Sequence, residues 1–192
     1  MKQVNYYKLL VIPLIILIAL LTSLCTPRES QVDSKEVADE KNKEKFTTRE
    51  ARQDAKIVTA AVASSLAEIR LAELAIEKTR DEEVKNIALH FKNDHAMLLA
   101  DLRTYAAGHV ITVPSAEGNS ERSEIEKLKA ESSNFNKKWC EQVRDLHKDA
   151  ISNLERAREN ASDPDLRKWA TNTLPRLRKN LDLASACYNR VK

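Results

Sequence analysis

Residues 135–157 read FNKKWCEQVRDLHKDAISNLERA, and the spacing within them decides the fold. Phe135, Trp139, Val143, Leu146, His147, Ala150, Leu154 and Ala157 recur at intervals of three and four, which gathers them on one side of an α-helix. Charged and amide residues fill the positions between, so the other side faces water. His147 sits inside the apolar stripe. A polar group on a buried face costs free energy unless it finds a partner.

The same period extends in both directions. Downstream, Ser162-Asp163-Pro164 is a cap followed by proline at the first helical position. The helix it starts carries Leu166, Ala170, Thr173, Leu177, Asn180, Ala184 and Cys187 on one face. Pro175 lies inside it and predicts a kink, because its ring crowds the carbonyl of Thr171. Upstream, a helix is expected from Thr47, whose hydroxyl stands at capping-box spacing from Glu50. Val58, Ala61, Ser65, Glu68, Ala72 and Ala75 form its stripe. Arg80-Asp81-Glu82-Glu83 marks a break and restart, with acids suited to a helix N-terminus. Val84, Ile87, Phe91, His95, Leu98, Leu102 and Tyr105 then continue the pattern as far as Gly108, a residue suited to a helix end. A short polar helix is expected from Glu121 to about Ala130. With only 2 Gly, 5 Pro and abundant Ala, Leu, Glu, Lys and Arg, the composition favours helices over sheet. The reading is all-α, an up-and-down four-helix bundle over residues 47–189.

Residues 1–25 have a different logic. Lys2 and Lys8 precede an apolar run from Leu9 to Leu21, followed by Thr22, Ser23, Leu24 and Cys25. That order is an export signal or membrane anchor. Two forms stay open: lipidation of Cys25, against which Leu24 occupies a place usually held by a small residue, or a retained apolar anchor. Residues 26–46 are polar and are expected to be a disordered tether. The domain is accordingly placed in the periplasm of a bacterial cell envelope, with the membrane and an envelope protein as partners. The net charge of +3 arises from 32 basic and 29 acidic residues without a separate basic block, which argues against nucleic-acid binding.

Glu68, His95, His147 and Asn180 interrupt or border the four apolar stripes, one on each long helix. Glu68 and His95 lie equally far along the chain from the Asp81–Glu82 break, and His147 and Asn180 equally far from Asp163–Pro164. In antiparallel hairpins each pair is therefore level, near mid-bundle. The expectation is one dry polar layer, read as a hydrogen-bond network that fixes helix register, as a site for one zinc, iron or manganese ion, or as a site for a small organic ligand. In the metal version Glu68, His95 and His147 are ligands and Asn180 supports them from behind. A dinuclear di-iron site finds no support, because Lys92 and Arg144 stand where Glu-x-x-His motifs need glutamate. Cys140 and Cys187 are likewise equidistant from Asp163–Pro164, and in an exported chain they predict a disulfide. No Ser-His-acid pattern or Gly-rich phosphate loop is present, so nothing points to an enzyme.

Four segments carry a resemblance: SLAEIRLAELAIEK, VKNIALHFKNDHAMLLADLRTYAAGHVITVP, NFNKKWCEQVRDLHKDAISNLERA and DPDLRKWATNTLPRLRKNLDLA. Together they resemble a bacterial envelope family of unknown function, domain of unknown function 4142. Its members are often called predicted outer-membrane proteins and belong with the ferritin-like bundles. Glu68, Asp94-His95, Phe135, His147 and Leu174-Pro175-x-Leu177 match the family pattern, whereas Asn180 stands where the family usually has histidine. The resemblance implies a ferritin-like fold and an exported location; it implies no reaction. The expected function is a membrane-tethered envelope protein that binds a ligand or partner, with a mononuclear metal-binding protein as the alternative.

Overall fold

The computed structural model describes residues 32–191. They form six helices, and no strand occurs among the described residues. The helices are α1 (Ser34–Lys45), α2 (Arg49–Lys78), α3 (Glu82–Gly108), α4 (Asn119–Ala130), α5 (Phe135–Asn160) and α6 (Pro164–Val191). The long helices pair as two hairpins, α2 with α3 and α5 with α6; α2 also packs on α5, and α3 touches α6.

Local chemistry sets the ends. Asp81 accepts hydrogen bonds from the backbone N–H of Glu83 and Val84 and starts α3. Asp163 does the same for Asp165 and Leu166 at the start of α6, just ahead of Pro164. Thr48, not Thr47, caps α2, accepting from the Ala51 N–H at 3.2 Å. The α3 terminus is closed through Val110, which adopts φ 55, while Gly108 keeps an ordinary negative φ. The helix therefore ends on a β-branched residue held in the left-handed region, which glycine occupies at lower cost. Helix α6 runs unbroken through Pro175, with Leu174 and Leu177 buried on either side.

The polar stretch expected to be a disordered tether contains α1 instead. Only Ala38 and Asn42 of this helix are buried, so no apolar stripe announces it. Side-chain hydrogen bonds hold it. The Asn42 amide donates to Thr112 O at 2.8 Å and accepts from Thr112 N at 2.7 Å. Thr59 donates to Asp39 at 2.5 Å. The ordered domain thus begins ahead of residue 47. The apolar run at 9–21 and Cys25 lie outside the described residues. Among the described helices none is long and apolar enough to cross a membrane.

Packing differs between the two ends. Toward the disulfide end one apolar cluster draws on α2, α3, α4, α5 and α6, with Leu71, Phe91, Leu128, Trp139, Val143 and Ala184 at its centre. Trp139 there donates its indole N–H to Leu71 O at 2.9 Å, tying α5 to α2. Toward the other end the core divides. One cluster joins α2 to α3, with Ala161 and Leu166; the other joins Leu98 to α5 and α6. Cys140 and Cys187 are disulfide-bonded with Cα atoms 5.7 Å apart, clamping α5 to α6.

Candidate metal centre

Glu68 on α2, His95 on α3 and His147 on α5 converge between the two hairpins. Glu68 and His147 have no solvent exposure, and His95 has 2%. Phe91, a turn before His95, covers the His147 ring at 4.8 Å between centroids and stacks toward Trp139 at 6.2 Å. The aromatic wall excludes water from one side of the group.

The two imidazoles meet edge to face, with their Nε2 atoms 3.4 Å apart. His147 Nδ1 lies 2.7 Å from Val143 O, one turn back on its own helix, and must carry a proton to donate there. That fixes the His147 tautomer and leaves its Nε2 with a lone pair facing His95. Two nitrogens bound to one tetrahedral ion at roughly 2.0–2.1 Å stand about 3.3–3.4 Å apart. The observed separation is the one a shared ion needs. Candidate ligand atoms of Glu68, His95 and His147 all lie within 4.8 Å of one another, so the carboxylate must draw in to complete such a set.

Glu68 and His95 are both incompletely satisfied, His95 at its Nδ1. Neither carboxyl oxygen of Glu68 has a hydrogen-bond partner among the described residues. Its Oε1 is 3.3 Å from His147 Nδ1, an ion-pair distance. However, that N–H is already directed to Val143 O, and burial disfavours the charged form of both groups. Burial pushes the Glu68 carboxyl well above the usual carboxylate range. Burial also pushes His95 down to about 3, helped by His147, Arg176 and His90. His147 is pushed down to about 4, chiefly by burial, against the raising effects of the Val143 carbonyl and Asp94. Without an ion, then, burial disfavours the charged form of all three groups. A divalent ion reverses this for Glu68, since it binds neutral imidazole and an ionised carboxylate.

Asn180 is fully buried but serves a different group. Its amide donates to Asp94 Oδ2 at 3.0 Å, and its oxygen lies 3.0 Å from His90 Nε2. His90 and Asp94 are one turn apart on α3, so the amide stitches α6 to α3. Equal height along the hairpin is a matter of rise; the direction in which the side chain leaves the helix decides its partner, and that placed Asn180 against Asp94. His90 is its other partner. The i,i+4 spacing of His90 and Asp94 was the available signal.

Fold and site together define an all-helical domain with a buried Glu/His/His group that could hold a metal ion. The chain belongs to the family described as Domain of unknown function (DUF4142), matched over residues 39–187. Among solved structures it is similar to a DUF305 fragment from Deinococcus radiodurans, with a TM-score of 0.64 and 12% identity over 72% of this chain and 96% of that chain. At that identity the likeness concerns the fold alone. No curated protein matches the sequence.

Proposed function

We propose that this domain is a ferritin-like four-helix bundle that binds one divalent transition-metal ion through Glu68, His95 and His147. The observation that carries the reading is the Glu68 carboxyl, buried without a hydrogen-bond partner beside two imidazoles whose Nε2 atoms stand 3.4 Å apart. An unpaired buried carboxyl is costly, and an ion between these groups offsets that cost. Two imidazoles and one carboxylate suit zinc, iron or manganese, and three protein ligands leave a coordination position open. Asn180 and Asp94 help to hold α3 and α6 in register around the site. The basic and apolar residues at the N-terminus support export and membrane tethering, with the domain in the periplasm. The Cys140–Cys187 bond fits an oxidising compartment.

Elemental analysis of the full chain, expressed without a histidine tag in metal-replete medium, tests this. One zinc, iron or manganese per chain is expected, lost in both Glu68→Gln and His147→Ala while helical circular dichroism persists. Metal-free wild-type protein, or metal retained in both variants, refutes it.

A further inference from the structure

The divided half of the core leaves a half-open cavity of about 630 Å³. It runs between the hairpins from the α2 N-terminal end to the middle of the bundle, where His95 lines it. Gln53 and Ser65 both border it, and at roughly 1.5 Å of rise per residue they stand about 18 Å apart along α2. Ile57, Leu98, Leu102, Leu154 and Leu177 supply apolar walls. The cavity volume lies within the range of small-molecule sites.

The mouth has the opposite character. Arg49, Lys56 and Arg156 border it together with the acids Glu50 and Asp54. Asp54 is already engaged, accepting from Ser162 N, Ser162 Oγ and Asp163 N. The Arg49 and Lys56 side chains have no ion-pair partner among the described residues. Trp169 also lines the cavity, about one and a half turns into α6 and so near the mouth. Its indole N–H is buried with no acceptor. Three cations against two acids leave the mouth with a net positive charge, Arg156 being held there by a hydrogen bond to Asn153, and with the unpaired indole N–H this favours an anion. The apolar walls beyond call for a hydrocarbon chain.

We propose that this cavity binds a medium-chain carboxylate, its head group at Trp169, Arg156 and the neighbouring cations and its chain directed toward His95. Ionised carboxylate is acceptor-only and matches the indole N–H and guanidinium donors. The inference stands apart from the metal reading, since none of the head-group residues belongs to the metal group. Binding is therefore expected in Glu68→Gln protein as well, and the two proposals fail separately.

Calorimetric titration of the full chain with dodecanoate below its micellar concentration tests the site, with dodecanol as the uncharged probe of equal length. Saturable binding of one dodecanoate per chain is expected, with dodecanol at least about tenfold weaker because it lacks the charge-assisted bonds. Arg156→Gln should weaken dodecanoate several-fold and leave dodecanol unchanged. Ala61→Phe, which places a ring in the cavity, should abolish saturable binding while helical circular dichroism is retained. Ala150→Phe serves the same purpose from α5 if the first variant does not fold. Dodecanoate held elsewhere on the chain would survive both fillings. That survival, equal affinity for dodecanol, or the absence of saturable binding overturns the proposal.

Discussion

In metal-free protein Glu68 should draw stability down as pH rises above its ordinary value, and Glu68→Gln should remove that contribution. His95 and His147 have pKa values pushed down to about 3 and about 4, from an ordinary 6.5. Their contribution is fully present above 6.5 and is lost as pH falls toward those native values. Glu68 has the opposite sign. Its pKa is raised from 4.5, so its contribution is present below 4.5 and is lost as pH rises. Just above pH 4.5 the unfolded chain holds two extra imidazole protons and the native protein one extra carboxyl proton. The net of one proton makes stability rise by about 1.4 kcal/mol per pH unit. Above 6.5 the imidazoles contribute no slope. Wherever Glu68 keeps its proton in the native state, it lowers stability by about 1.4 kcal/mol per pH unit. In Glu68→Gln the rise below 6.5 should steepen to roughly twice that slope, and a plateau should follow. Urea unfolding with a chelator present, from about pH 5 to 8, reads these slopes directly. A Glu68→Gln stability profile that runs parallel to the wild type's throughout refutes the reasoning.

The remaining predictions concern the frame around the site. Asn180→Ala strands the buried Asp94 carboxylate and should cost about 1–3 kcal/mol in urea unfolding. Replacing Cys140 and Cys187 together by alanine opens a closure spanning 47 residues and should cost about 2–4 kcal/mol by the same measurement. Val110→Gly should stabilise the protein by about 1 kcal/mol, visible as a raised Tm, because the valine is 68% exposed and holds φ 55.

The long helices were legible because burial and period coincide in them. Both hairpin breaks fall where Asp81 and Asp163 had signalled, and the cysteines and the Glu68, His95 and His147 side chains meet as their equal distances from those turns required. Rise along a helix follows from residue number alone. What number does not give is the direction in which a side chain leaves its helix once neighbouring helices twist and splay. Asn180 shows this, level with the histidine layer yet bonded to Asp94 and His90. Helix α1 was illegible for another reason. Asn42 and Asp39 attach it through hydrogen bonds to Thr112 and Thr59, and a polar stretch held in this way looks like a solvated tether. Thr47 and Thr48 are adjacent candidates of equal capping chemistry, and only the backbone turn selects the second. The cavity was hidden too, since Ile57, Leu98 and Leu177 sit on ordinary core stripes and only the separation of the hairpins leaves space between them.

The metal assignment is tested most directly by anomalous diffraction from crystals of the full chain, collected on both sides of the absorption edge of the ion found in solution. The expected result is a single strong peak between His95 Nε2 and His147 Nε2, with the Glu68 carboxylate drawn in to it. Clean density showing the two imidazoles hydrogen-bonded to each other in metal-replete crystals, with no anomalous signal, contradicts it.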